Sequence, residues 1–125
     1  MSKSIHLVCE RGMDGWPRNV TSDPVTKMFR SGFWDLPTAD AETIVGGWIY
    51  FHETKKSKSY MGGKVHGIEP TVTPGVAHPD RIVFAFRPAR EAKMCVWRGQ
   101  GHGRAWTSGP VEAELPHERA ADAAA

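Results

Sequence analysis

Tryptophans and basic residues that could bind a nucleic acid are the strongest chemical signal in this sequence. Five tryptophans occur within 125 residues, and lysines and arginines are interleaved with them. Aromatic rings at strand ends and in loops can stack on bases while cations hold the phosphates. The sequence therefore predicts a base-stacking surface, with the alternative that the same tryptophans fill the core.

The candidate site residues form two groups. The first joins aromatic rings with polar groups able to hydrogen-bond the edge of a base: Trp34, Asp35, Trp48, Ser59, Tyr60, Gln100, His102 and Trp106. The second consists of basic residues in or beside two turns, where they can hold phosphates: Lys55, Lys56, Lys58, Arg98 and Arg104. A solvated hairpin tip at 55–63 and a flexible loop at 99–103 are the alternatives for these turns.

The net charge of +2 conceals an uneven distribution. Residues 55–104 contain ten basic and three acidic residues, whereas residues 1–54 contain five and seven and residues 105–125 contain one and four. A concentrated basic segment is typical of a phosphate-binding surface. The alternative is a set of charges spread over a solvated surface.

Signatures of metal sites and nucleophilic catalysis are missing from the sequence. The candidate metal ligands lack the spacing of a zinc site. They are His6, Cys9, His52, His66, His78, Cys95 and His102. A Gly-x-Ser-x-Gly elbow and a phosphate-binding P-loop are also absent. We therefore expect no metal, no cofactor and no catalytic residue, and a binding protein more than an enzyme.

The cysteine count and the hydropathy indicate where such a chain functions. Two cysteines are too few for a disulfide framework, and no apolar run approaches the length of a membrane span. We expect a cytoplasmic protein with reduced thiols and no membrane partner, and one Cys9–Cys95 bridge stays open as an alternative.

The predicted elements are mainly short strands. Alternating or β-branched runs predict strands at 5–9, 48–54, 64–69, 81–87, 92–98 and 105–114. Capping signals predict short helices at 22–30 and 38–45. Together they indicate an α+β, mostly β fold: a small antiparallel pseudo-barrel of about six strands with two or three short helices. We expect one domain over 1–115 and a flexible tail over 116–125.

Two segments resemble a known family. Residues 46–54 (GGWIYFHET) and 63–69 (GKVHGIE) resemble the central hairpin of the PUA-like superfamily, and more narrowly its EVE and ASCH branches. The predicted helices and the strand ending in RIVFAFRP (81–88) are similar as well. The resemblance implies a pseudo-barrel with a pocket near the helices that accepts a modified or flipped base. Extruding a base costs a few kcal/mol, which an aromatic slot and edge hydrogen bonds can recover.

These observations favour a nucleic-acid-binding domain, for DNA or RNA, that recognises a modified base. One alternative is a small amidohydrolase-like enzyme acting on a modified nucleoside, with His52, Glu53 and Lys58 as its acid–base groups. The other is a protein-interaction module of a defence operon, which binds a protein partner without any nucleic acid.

Overall fold

The computed structural model describes residues 2–99 and 106–123. In this part of the chain, seven strands form one sheet: β1 (Ser4–Val8), β2 (Val20–Ser22), β3 (Phe29–Trp34), β4 (Trp48–His52), β5 (Met61–Val72), β6 (Asp80–Pro88) and β7 (Thr107–Val111). Helix α1 (Thr38–Glu42) follows β3, a 3₁₀ turn (Arg90–Ala92) follows β6, and α2 (Pro116–Ala123) follows β7. Within these described residues, no helix has the length and apolar content needed to cross a bilayer.

The strand order in the sheet is β2-β3-β6-β5-β4-β1-β7. Every neighbouring pair is antiparallel except β1 and β4, which run parallel. The mostly β fold with short helices is confirmed, and the sheet is mixed rather than wholly antiparallel. Among the described strands β2 and β7 are the two edges and do not pair, so the predicted pseudo-barrel closure is not confirmed.

Strand β4 is buried on both of its faces. Its odd-numbered residues, Ile49 and Phe51, belong to the main hydrophobic core together with residues of β1, β5, β6 and α1. Its even-numbered residues, Trp48 and Tyr50, form a second cluster with Ala92 and with Cys95 after the 3₁₀ turn. This division follows from the two-residue period of a strand, which sends neighbouring side chains to opposite faces.

The parallel pairing of β1 and β4 places the ends of both strands at one margin of the sheet. Val8 lies opposite His52, so the loops that follow the two strands leave the sheet side by side. Strand β7 runs antiparallel to β1 and begins at this margin. There the Val8 N–H donates to the Trp106 carbonyl oxygen at 2.9 Å.

The helix predicted over 22–30 is wrong, because this segment is the hairpin of β2 and β3. The Asp23 carboxylate accepts hydrogen bonds from the N–H groups of Val25 and Thr26, as a helix cap would. Lys27 then adopts the left-handed conformation, with φ of 64°, which turns the chain back instead of continuing a helix. The Asp23-Pro24 pair therefore indicates a turn of the chain, but it does not indicate whether that turn continues as a helix.

The strand predicted over 92–98 is also wrong, since these residues form the end of the 3₁₀ turn and an irregular segment. Met94 has a φ of 63°, which interrupts any extended run. The segment is held by Ser59 from the β4–β5 connection, with hydrogen bonds to Ala92 and Cys95. Likewise α2 stands where the sequence predicts a flexible tail, and its Glu118 is buried.

Candidate functional site

A large open cleft lies where the ends of β1 and β3 approach the beginnings of β6 and β7. Its volume is about 1160 Å³, above the roughly 300–1,000 Å³ of most small-ligand sites. Strands from opposite sides of the open sheet line it, so the sheet curves enough to bring both sides to one cavity. The cleft is therefore large enough to hold one chemical group of a larger molecule.

Aromatic side chains form part of the cleft wall. Trp34 ends β3, and its indole N–H donates to the Ser31 hydroxyl at 2.9 Å, which fixes the orientation of the half-buried ring. Phe33 and Trp106 are 51% and 59% exposed. Exposed apolar surface is unfavourable in water, and such surface beside a cavity is typical of an interaction site. The cleft therefore offers stacking surface that the fold itself leaves uncovered.

Charged groups of both signs also line the cleft. The His78 Nδ1 and the Asp35 carboxylate lie 2.7 Å apart, and the Arg81 Nε donates to the His78 carbonyl oxygen at 2.7 Å. The other charged lining residues are Glu10, Arg18 and Asp80. These groups supply both donors and acceptors for the edge of a ligand.

The lysine loop (residues 55–58) borders this region. It follows β4, and at that strand's end the Cys9 N–H donates to the His52 carbonyl oxygen at 2.8 Å. Cys9 itself lines the cleft. The Lys55 Nζ lies 5.5 Å from the centre of the Trp97 ring, and the other lysines of the loop are exposed. The loop therefore presents cations at the margin of the sheet to which the cleft belongs.

Three predicted pocket residues occupy other positions: Trp48, Ser59 and Tyr60. The Trp48 ring is 5% exposed and packs edge-on against His117, with ring centres 4.5 Å apart. The buried Ser59 hydroxyl donates to a carbonyl oxygen of the 3₁₀ turn. The Tyr60 hydroxyl donates to the Cys9 carbonyl oxygen. The rings of Trp48 and Tyr60 and the hydroxyls of Ser59 and Tyr60 support the fold around the cleft, and these three residues do not line it.

The cleft brings together Trp34, Asp35 and Trp106 from the predicted pocket. The predicted residues Gln100, His102 and Arg104 lie outside the described residues. The predictions did not include several lining residues, namely Phe33, His78, Arg18 and Arg81. Phe33 carried a signal, because it directly precedes Trp34, whereas the two arginines and His78 had no local pattern that distinguished them.

Arg98, predicted to bind phosphate, instead lies in a buried polar cluster, defined as Arg98, Glu118, His6, His52 and Tyr50. The Arg98 Nη2 donates to the Glu118 Oε2 at 2.7 Å, and the Arg98 Nε donates to the His6 Nε2 at 3.2 Å. The Tyr50 hydroxyl donates to the same carboxylate oxygen at 2.9 Å. The Glu118 side chain is 1% exposed and that of Arg98 is 16% exposed. The charge of Arg98 is thus already compensated within the fold.

The hydrogen bonds of the polar cluster fix the protonation of both histidines. A guanidinium only donates, so the His6 Nε2 accepts and the His6 proton sits on Nδ1. That proton is donated to the His52 Nε2 at 2.8 Å. His52 then carries its own proton on Nδ1 and donates it to the Ser57 carbonyl oxygen at 2.9 Å. This chain of bonds ties the lysine loop to the buried ion pair.

Burial and hydrogen bonding shift the pKa values of the cluster. Burial, with help from the nearby His52 and Arg98, lowers the pKa of His6 to about 3, and burial also lowers the pKa of His52. Burial alone would raise the pKa of Glu118, but hydrogen bonds from Arg98 and Ser4 hold it at about 2. At neutral pH the cluster therefore contains one ion pair and two neutral imidazoles.

Two of the three acid–base groups considered for an enzyme, His52 and Glu53, are already engaged. Both ring nitrogens of His52 are hydrogen-bonded, and the Glu53 carboxylate pairs with Arg11. Cys9 and Cys95 are free and buried, and burial raises the pKa of both thiols, which leaves little thiolate at neutral pH. No group of three His, Cys, Asp or Glu side chains placed to hold a metal occurs in 2–99 or 106–123.

The chain was compared with protein-family models, with curated proteins and with solved structures. None of the three comparisons found a match. A function for the cleft must therefore be argued from its own geometry.

Proposed function

We propose that this chain is a PUA-like nucleic-acid-binding domain that receives a modified base in the cleft. The observation that carries the proposal is the shared cavity of Trp34 and Trp106, of which Trp106 is 59% exposed. Indole rings stack on bases of any sequence, at about 1–3 kcal/mol per base. The two rings come from β3 and from the residue before β7, so one ligand can contact both sides of the curved sheet.

The distribution of charge supports different roles for the cleft and the lysine loop, in which the cleft binds the base and the loop binds phosphates. None of the described residues that line the cleft is a lysine, whereas residues 55–58 contain three lysines. Phosphates attract lysines at the surface, and a base needs aromatic faces and edge groups. A strand with its phosphates on the lysine loop and one base extruded into the cleft satisfies both requirements. The resemblance of 46–54 and 63–69 to the central hairpin of the EVE and ASCH branches supports a modified base as that ligand.

Fluorescence anisotropy with labelled single- and double-stranded DNA and RNA, at two salt concentrations, tests the proposal. We expect binding that weakens as salt rises, because each phosphate contact releases counterions. Intrinsic tryptophan fluorescence should be quenched in the same titrations. Absence of binding to every oligonucleotide at low salt would refute the proposed function.

Two exposed tryptophans provide a matched pair of variants. Trp106→Ala removes a cleft ring, and we expect about a tenfold or greater loss of affinity from lost stacking. Trp16→Ala is the control, since Trp16 is 40% exposed but packs on Phe29 outside the cleft. Equal loss of affinity in both variants would contradict base binding in the cleft.

A further inference from the structure

The end of β3 and the beginning of β6 meet at the wall of the cleft. Phe33 and Trp34 are the last two residues of β3, and both line the cavity. Trp34 lies opposite Ile82 in the pairing of β3 with β6. Arg81, the residue before Ile82, also lines the cavity. A guanidinium group and two aromatic rings therefore border the same space.

Hydrogen bonds fix the position of the Arg81 guanidinium relative to the end of β3. The Arg81 Nε donates to the His78 carbonyl oxygen at 2.7 Å. His78 is tied in turn to the residue that follows Trp34, because its Nδ1 donates to the Asp35 carboxylate at 2.7 Å. The half-buried Arg81 side chain is thus held in place before a ligand arrives, so a ligand that binds it has little side-chain entropy to overcome.

The Arg81 guanidinium keeps two of its nitrogens for a ligand. Its Nη1 and Nη2 make no hydrogen bond or ion pair with any residue that the structure describes. Together they form a planar pair of donors, which matches two acceptors that lie side by side. A phosphate offers such acceptors, and so does the edge of a base. Asp80, which directly precedes Arg81 and also lines the cleft, repels an anionic phosphate and leaves a neutral base edge unaffected.

Guanine carries this pair of acceptors on one edge. Its O6 and N7 lie side by side, whereas adenine presents N7 beside an amino donor. We propose that the base received by the cleft is a guanine with unmodified O6 and N7, and that Arg81 reads this edge through Nη1 and Nη2. The inference rests on the proposed function and specifies its ligand, because the modification must then lie elsewhere on the base.

Guanosine analogues test the proposal at single atoms. Single-stranded RNA oligonucleotides that are otherwise uridine carry a central guanosine, inosine, 7-deazaguanosine or adenosine, and fluorescence anisotropy measures their affinity. Inosine keeps O6 and N7, so we expect it to bind as guanosine does. The base of 7-deazaguanosine has a C–H group in place of N7, and adenosine has an amino group in place of O6. We expect each of these two to bind about tenfold more weakly than guanosine.

Arginine variants assign the preference to one side chain. Arg81→Met removes both Nη donors, and we expect the affinity ratio between guanosine and 7-deazaguanosine to fall from about tenfold to about one. Arg87→Met is the matched control, because it removes the same charge from an exposed position of the same strand that does not line the cleft. A ratio that survives in Arg81→Met, or that is lost in Arg87→Met, would overturn the inference.

The outcomes distinguish this inference from the proposed function. Equal binding of all four oligonucleotides, with loss of all four in Trp106→Ala, would overturn the guanine edge and leave the proposed function intact. An equal loss of all four in Arg81→Met, with the ratio unchanged, would mean that Arg81 holds a phosphate, and it would also overturn only the inference. Failure of every oligonucleotide to bind at low salt would overturn both.

Discussion

The cleft and the buried polar cluster both contain arginine, glutamate and histidine, yet their polar groups are used differently. In the polar cluster, Arg98 donates to a carboxylate, an imidazole and a backbone carbonyl oxygen. In the cleft, the exposed Arg18 side chain makes no hydrogen bond or ion pair within the described part of the chain. A buried polar group must be satisfied by the fold, whereas an uncommitted one beside a cavity is available to a ligand. Residue type alone therefore does not separate a structural arginine from a binding one.

The largest expected effect comes from breaking the ion pair of the polar cluster. Glu118→Gln leaves the Arg98 guanidinium largely buried without its counter-charge, which should cost about 3–5 kcal/mol of unfolding free energy. Urea denaturation followed by circular dichroism measures the loss. The double variant Arg98→Met/Glu118→Gln removes both charges and keeps an acceptor for Ser4 and Tyr50, so it should recover part of the loss. A loss below about 1 kcal/mol in Glu118→Gln would show that the cluster does not depend on this charge.

The second largest expected effect is a loss of stability at acidic pH, caused by the polar cluster. His6 has a pKa of about 3 in the fold and 6.5 in the unfolded chain, so below pH 6.5 the unfolded chain binds a proton that the fold does not. Stability therefore falls as pH decreases, by about 2 kcal/mol between pH 6.5 and pH 5 for His6 alone. The lowered pKa of His52 acts in the same direction. The carboxyl of Glu118, with its pKa lowered from 4.5 to about 2, adds a further loss below pH 4.5.

Denaturant unfolding across pH 7 to 5 checks this dependence. His6→Gln and His52→Gln should flatten the slope of stability against pH, because each removes a proton-binding site of the unfolded chain. His66→Gln, at an exposed position of β5, is the matched control for loss of a histidine. A slope that the two buried variants leave unchanged would assign the acid sensitivity to other groups.

Replacing Ser59 should cause a smaller loss of stability. It tests whether a residue that supports the fold also contributes to binding. Its hydroxyl donates to the Ala92 carbonyl oxygen and accepts from the Cys95 N–H. Ser59→Ala should therefore cost about 1–3 kcal/mol of stability, because two buried backbone groups lose a partner. Oligonucleotide affinity of the folded variant should not change. Reduced affinity with unaltered stability would return Ser59 to the base-binding residues.

Sequence pattern predicted those elements whose side chains alternate over several residues. Strands β1, β4 and β6 were predicted within a few residues of their observed bounds, because alternation or β-branching reports burial directly. The failures at 22–30 and 92–98 share one cause. Lys27 and Met94 adopt the left-handed conformation, which neither residue type signals.

Only those candidate site residues whose exposure to solvent follows from their position at a strand end could be predicted from the sequence. Trp34 and Trp106 stand at strand ends and line the cleft. Trp48 begins a strand as well, yet it is covered by His117 from α2, 69 residues away, in a segment predicted to be a flexible tail. The same helix supplies Glu118 to Arg98. Contacts between residues so distant in sequence leave no local pattern. These contacts determine which aromatic and basic residues are buried as part of the fold and which stay exposed to a ligand.

The lysine loop should show the smallest effect on stability and a clear effect on binding. Replacing Lys55, Lys56 and Lys58 together by Gln changes surface side chains, so stability should move by less than about 0.5 kcal/mol. If each lysine holds one phosphate, the slope of log affinity against log salt falls by about two units on a single strand. The control replaces Lys3, Lys27 and Lys64, which removes the same charge from other parts of the surface. An equal change of slope in both triple variants would mean that net charge, and not the lysine loop, attracts the nucleic acid.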